Sequence, residues 1–197
     1  MKTISCLLIF VMFVSMGFAG PAPEIKDDNE IRPALVVIDI QNIYLSMMDE
    51  MGKDIALWMI NENMKEFRQK GFPVILVYHT DLKYGPKPGS EEFKYPSSIE
   101  INEKDLKIIK NYPNAFKKTD LEKVLREKGC NTLFLCGLSA VGCVLATYFG
   151  ADNLDFNVFM IKNALISHNA TYTKVVEDIC ETLGPNAITL ILQNAKK

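Results

Sequence analysis

A cysteine, an aspartate and a lysine stand at three places in this 197-residue chain where their chemistries could combine. Cys143 lies in GLSAVGCVLATYFGA, six residues after Gly137 and near the start of a helical pattern. A thiol at a helix N-terminus meets the positive end of the dipole and nearby backbone N–H groups. Both favour the thiolate, the form that attacks carbon. Read alone, such a cysteine is more often inert packing. Asp39 directly follows the apolar run ALVVI, and a carboxylate there is either a site residue at a sheet edge or the start of a turn. Lys110 ends DLKIIK, a short apolar stretch that would bring its ammonium to the same rim, although a lone lysine is usually solvated. The chain has two histidines. His79 follows VILVY and either lines the site or serves the fold, while His168, in ISHNATY, reads as a loop or helix-cap residue. Tyr44, Phe116 and Tyr148 could line an apolar pocket, though aromatics at such spacings are more often core.

The elements that must hold these residues follow from hydrophobic pattern. Ala34–Ile38, Val74–Tyr78, Thr132–Cys136, Val158–Ile161 and Ile188–Leu192 are short, continuous apolar runs rich in branched residues, the mark of strands buried on both faces. Helical period predicts helices over Asp54–Lys70, Asp120–Lys128, Val141–Asp152 and Thr171–Leu183. Gly71 followed by Pro73 stops the first helix, Thr119-Asp120 caps the second and Gly129 ends it. The alternation predicts an α/β fold, a three-layer α/β/α Rossmann-like arrangement around a mainly parallel sheet of roughly six strands. Sites in such folds form at the carboxyl ends of strands, where Asp39, His79 and the Gly137–Cys143 segment are placed. Asp81–Asn102 is long, polar and rich in proline and glycine, a loop able to cover a pocket.

The ends and the composition bound the partners. Lys2, the apolar run Ile4–Val14 and the small-residue site Gly17-Phe18-Ala19 have the three parts of a secretory signal peptide, predicted over 1–19 with the mature chain beginning near Gly20. The apolar run is shorter than the ~20 residues a spanning helix needs, so cleavage and no stable membrane insertion are expected. Residues 20–33 carry prolines and charges without apolar period and read as a flexible arm, with one domain over 34–197. Formal charge is −2, becoming −3 without Lys2, and no basic block exists to neutralise a row of phosphates, so nucleic acid is excluded as a partner. Of five cysteines, Cys6 falls in the leader. Cys136 reads as core, and Cys130 and Cys180 are either paired or free; no C-x-x-C spacing occurs among the four that remain. Asn169-Ala170-Thr171 is a glycosylation sequon, meaningful in a eukaryotic host.

Three stretches taken together resemble the isochorismatase-like superfamily of cysteine hydrolases, which includes nicotinamidases, N-carbamoylsarcosine amidohydrolases and isochorismatases. ALVVIDIQN resembles the family's first strand, ending in an aspartate followed by x-Gln-Asn. KNYPNAFKKTDL resembles its lysine segment, and the spacing selects Lys110 over Lys117 and Lys118. GLSAVGCV resembles its nucleophile turn, with the cysteine six residues after a strand-ending glycine and followed by valine. The resemblance runs from about Ala34 to Leu192. It implies a triad of Asp39, Lys110 and Cys143, oxyanion donors in the backbone of Ser139 and Cys143, and a cis bond between Leu138 and Ser139. It also implies substrate contacts from Gln41, Tyr44, His79, Phe116 and Tyr148.

The chain departs from the family pattern at Ala140, often threonine, and at Ile43, often aspartate. The Asp-x-His metal site of nicotinamidases has no counterpart, so no metal and no cofactor are expected and nicotinamide is a poor first guess. The function expected is a secreted or periplasmic hydrolase that cleaves an amide-type C–N bond of a small molecule through a thioester. A homo-oligomer, dimer or tetramer, is expected by the same resemblance. The alternatives are vinyl ether hydrolysis of the isochorismatase type, in which the aspartate moves the proton, and a secreted binding protein that kept the fold without turnover.

Overall fold

The computed structural model describes residues 30–81 and 83–197. Six parallel strands form one sheet: β1 (Pro33–Ile38), β2 (Val74–His79), β3 (Leu106–Lys110), β4 (Thr132–Leu138), β5 (Asn157–Ile166) and β6 (Thr182–Leu183), in the spatial order β3-β2-β1-β4-β5-β6. The helices are α1 (Asn42–Leu45), α2 (Glu50–Lys70), α3 (Leu121–Glu127), α4 (Leu145–Asp152), α5 (Ala170–Ile179) and α6 (Pro185–Asn194). The parallel α/β architecture predicted from the sequence is the one observed. No helix among the described residues is long and apolar enough to cross a membrane.

The central strands read as unbroken apolar runs because each face is covered. Leu35 and Val37 of β1 join Ile60, Met64 and Phe67 of α2 and Ile188 and Leu192 of α6 on one side. Ala34, Val36 and Ile38 meet Leu121 and Leu125 of α3, Val144 and Val176 of α5 on the other. Alternate residues thus enter different cores, each apolar, so period two vanishes from the sequence.

Several elements differ from expectation. Ile188–Leu192, predicted as a strand, lies inside α6. Gly184 precedes it as cap and Pro185 occupies the first turn, where a missing N–H costs nothing. The sixth strand is instead the two-residue β6, and α5 stops at Ile179, short of the predicted Leu183. Leu106–Lys110 forms an edge strand whose alternating exposure, with Ile108 and Lys110 buried and Lys107 and Ile109 outward, hid it from a search for continuous apolar runs. The predicted arm over 20–33 is fixed from Glu30 onward: Arg32 N donates to Asn131 Oδ1 at 2.9 Å, Lys196 N to Ile31 O at 2.9 Å, and Pro33 begins β1. The predicted leader and the rest of the arm lie outside the described residues. Cys130, Cys136, Cys143 and Cys180 are all free thiols, which decides between the two readings of Cys130 and Cys180.

Candidate functional site

Parallel register brings three strand ends to one point. Ile38 pairs with Val77 and with Gly137, and His79 pairs with Lys110. Asp39, one residue past β1, adopts φ 54°, a left-handed conformation that aspartate tolerates better than most residues and that turns the chain out of the strand. Beyond β4, Gly137 has φ 117°, and a Cβ there would stand 2.1 Å from Ile38 O. Only glycine lets β4 run this close to the end of β1. The Leu138–Ser139 peptide bond is cis. A wide helical turn over Ala140–Val144 follows, broken at Gly142 and closed by Gly142 N and Val144 N donating to Ser139 O at 2.9 and 3.2 Å. It carries Cys143 back over the sheet: a carboxylate oxygen of Asp39, a ring nitrogen of His79 and Cys143 Sγ all lie within 4.8 Å of one another. Thr147 in α4 fixes the turn from behind, donating to Cys143 O at 2.7 Å and accepting from Ala115 N at 3.0 Å.

The charges here are buried and spoken for. Lys110 is 1 % exposed and Asp39 is 2 % exposed. The Lys110 ammonium donates to Asp39 Oδ2 at 2.7 Å and lies 3.0 Å from His79 Nδ1. Asp39 Oδ1 is buried with no hydrogen-bond partner. Burial pushes the Asp39 carboxyl up to about 6, with the Lys110 charge pulling the other way. Burial and then the Lys110 charge hold His79 down at about 4, so its ring is neutral at physiological pH. Burial and the Asp39 charge push the Cys143 thiol up to about 12. This corrects one expectation, since a helix start was predicted to favour the thiolate. Cys143 precedes α4 by two residues, and the helix end is outweighed by desolvation and by the carboxylate facing the sulfur. The resting arrangement is therefore a neutral thiol beside a carboxylate that is mostly ionised at neutral pH.

The other residues predicted to touch substrate separate into three groups. Tyr44, in α1, lies edge-on to His79 with ring centroids 6.0 Å apart, and burial together with the Asp39 charge pushes its hydroxyl up to about 12. Gln41 is instead a strut beneath the site. It is fully buried, its amide donates to His79 O and Phe93 O, both at 3.0 Å, and its Oε1 accepts from His79 N at 2.7 Å. Both of its donors are thus spent on backbone. Contacts of Phe116 and Tyr148 lead away from Cys143 toward the amino ends of the strands: Phe116 stacks on Phe156, which precedes β5, and the Tyr148 hydroxyl accepts from Glu181 N, which precedes β6. The Asp81–Asn102 loop is pinned rather than free along its second half. Phe93 and Tyr95 are buried against Tyr78, and the Tyr95 hydroxyl sits 3.0 and 2.7 Å from the carbonyls of Val37 and Val77. Thr147 and Tyr95 had no signal in the sequence, because each acts through a contact set by tertiary packing.

Asp39, His79 and Cys143 offer oxygen, nitrogen and sulfur at spacings that a divalent ion could bridge. Lys110 opposes that use. Its ammonium already engages Asp39 Oδ2 and His79 Nδ1, and a second cation would meet its charge at close range in a buried setting. The donor set suits proton movement better than metal binding.

A model of the isochorismatase domain matches residues 33–180. The chain belongs to the isochorismatase family. It is similar to the isochorismatase family protein YecD of Escherichia coli O157:H7, 33 % identical over 159 residues covering 72 % of this chain and 84 % of that one. It is also similar to the isochorismatase family protein YddQ of Bacillus subtilis, 31 % identical over 150 residues covering 74 % and 81 %. Among solved structures, an isochorismatase from Pseudomonas putida KT2440 superposes with a TM-score of 0.70 at 26 % identity, covering 80 % of this chain and 89 % of that one. The fold is thus the hydrolase fold of that family.

Proposed function

We propose that this isochorismatase-family chain is a cysteine hydrolase that cleaves an amide-type C–N bond of a small molecule, with Cys143 as nucleophile, Asp39 as proton acceptor and donor, and Lys110 as the cation that holds Asp39 in place. The observation that carries this reading is the unpartnered, buried Asp39 Oδ1 beside the Cys143 thiol, with Oδ2 of the same carboxylate held by Lys110. A carboxyl near 6 is ionised at neutral pH yet basic enough to take a proton, which is what a general base requires.

The steps follow from these groups. Asp39 takes the thiol proton as Cys143 Sγ bonds to the carbonyl carbon, and the carbonyl π electrons move onto oxygen. Backbone N–H groups of Ser139 and Cys143, in one turn, are the proposed donors to that oxyanion. The C–N bond breaks as the carbonyl reforms, and Asp39 returns its proton to the departing amine. Water then attacks the thioester while Asp39 accepts a proton from it, the S–C bond breaks, and the sulfur recovers its proton as the acid leaves.

A second reading is vinyl ether hydrolysis, with Asp39 delivering a proton to carbon. Two observations favour it: a carboxyl raised to about 6 keeps a minor protonated fraction at neutral pH that grows as pH falls toward 6, and the Pseudomonas putida relative bears the name isochorismatase. A panel of primary amides, carbamoyl compounds and isochorismate, read for ammonia and for pyruvate, separates the two. Ammonia release supports the amidase reading, and pyruvate from isochorismate alone replaces it. Export by a cleaved leader over 1–19 and assembly as a dimer or tetramer belong to the same proposal. Amino-terminal sequencing should find a start near Gly20, and light scattering should give a mass of two or four chains. An uncut terminus or a monomer would remove the corresponding part.

A further inference from the structure

The position of His79 carries more than a place in the pocket wall. Lys110 reaches it across one rung of the sheet, since His79 and Lys110 are register partners in β2 and β3. An ammonium has hydrogens to give and no lone pair to receive one. The 3.0 Å contact between Lys110 Nζ and His79 Nδ1 therefore runs one way, from lysine to ring. An imidazole nitrogen that accepts is unprotonated, which puts the ring proton on Nε2. The backbone of the same residue is held at both ends by Gln41, through its N–H and its carbonyl. Tyr44 from α1 stands edge-on to the ring, and Asp39 and Cys143 lie beside it. The remaining charged neighbour is Asp81 in the following loop. Ring orientation and tautomer are thus both set by the protein.

We propose that His79 is locked by Lys110 as the neutral Nε2–H tautomer, and that it serves as a hydrogen-bond donor to an acceptor atom of the substrate held at Cys143. The substrate half of this proposal rests on the hydrolase reading above; the tautomer half stands on the geometry alone. A donor beside the nucleophile selects substrates with an uncharged oxygen or nitrogen acceptor next to the scissile bond, and it disfavours a cationic group at that point. With one hydrogen given to Asp39 Oδ2 and one to His79 Nδ1, the lysine bridges the two side chains as one unit.

The test begins with His168→Gln, which leaves His79 as the only histidine of the chain, since His168 is exposed and touches only the ring of Tyr172 among aromatic neighbours. Nitrogen-15 NMR of its imidazole at neutral pH should show a protonated Nε2 and an unprotonated Nδ1, and Lys110→Met should move the Nδ1 resonance and raise the pH at which the ring titrates. An imidazolium, or the Nδ1–H tautomer, overturns the assignment. For the donor role, His79→Asn keeps an acceptor near the place of Nδ1 and lacks the Nε2–H. It should keep a single cooperative urea transition at pH 7 yet lose about 10- to 100-fold in kcat/KM on whichever amide the wild type turns over, the worth of one hydrogen bond to a developing charge. Wild-type kcat/KM in His79→Asn overturns the donor role. If the wild type hydrolyses no amide, the hydrolase reading fails by itself, and the NMR result still decides the tautomer.

Discussion

The carboxyl edge of the sheet is built differently at its two ends. Strands β1 to β4 end in Asp39, His79, Lys110 and the Ser139–Cys143 turn; Asp39 and Lys110 are buried, the Lys110 ammonium contacts both Asp39 and His79 across the sheet, and Cys143 stands beside them. Strand β5 ends in Ser167, whose hydroxyl bonds only to Asn169 O and Thr173 Oγ1 nearby in sequence. Beyond it β6 is two residues long, and the covering helices leave Ile179 and Leu190 66 % and 61 % exposed. The first end spends stability on placing charges away from water; the second closes the sheet with local caps. A buried pair such as Asp39 and Lys110 gives back little of its desolvation cost as folding energy, so its retention points to use rather than to strength.

Substitutions can break this contrast in order of severity. Asp39→Asn keeps the shape of the side chain but cannot take a proton, and should lower turnover of a susceptible amide on the order of 10³-fold. Initial rates on the purified variant measure it, with circular dichroism confirming the fold. Lys110→Met leaves the Asp39 carboxylate buried without its cation. It should cost about 3–5 kcal/mol of stability in urea unfolding at pH 7 and much less at pH 4, where the acid is neutral. Gly137→Ala drives a methyl group into Ile38 O where only a positive φ is permitted, and should cost about 3 kcal/mol with loss of the alignment between Asp39 and Cys143.

Titration gives a smaller and more discriminating effect. The folded value for Asp39, about 6, lies above its ordinary 3.8, so its contribution to stability is complete below pH 3.8 and is lost as pH rises through 6. For His79 the folded value, about 4, lies below the ordinary 6.5, so its contribution is present above pH 6.5 and is lost as pH falls through 4. The slopes oppose each other between pH 4 and 6 and largely cancel in the wild type. His79→Asn uncovers the Asp39 slope, so stability relative to wild type should fall from pH 4 to 6. Asp39→Asn uncovers the His79 slope and should reverse that sign, as urea midpoints across this range would show. At the other end of the sheet, Ile179→Ser should change stability by no more than about 0.5 kcal/mol and leave turnover untouched.

Much of the first end was legible in the sequence, and much of the second was not. ALVVI, VILVY and TLFLC are strands because both faces are covered, and a run of that kind announces itself. The spacing from Gly137 to Cys143 and the position of Asp39 after its strand pointed to the same rim. LKIIK was obscured by its edge position, and ITLIL by its likeness to a buried strand. The Gly184-Pro185 pair, a helix-start signal, stood just before ITLIL. Gln41 and Phe116 show the limit of reading residue types: their roles depend on which carbonyl or ring lies opposite, and no local pattern encodes that. The His79–Lys110 contact needed the register of two strands joined by a 26-residue connection.

The central claim is that Cys143 becomes acylated, and the most direct measurement is mass spectrometry of the protein quenched during turnover of an amide, with Cys143→Ala beside it. The account predicts an acyl mass on the peptide containing Cys143, and in the variant neither that mass nor ammonia release above background. Undiminished ammonia release by Cys143→Ala would contradict it and pass the chemistry to Asp39 alone.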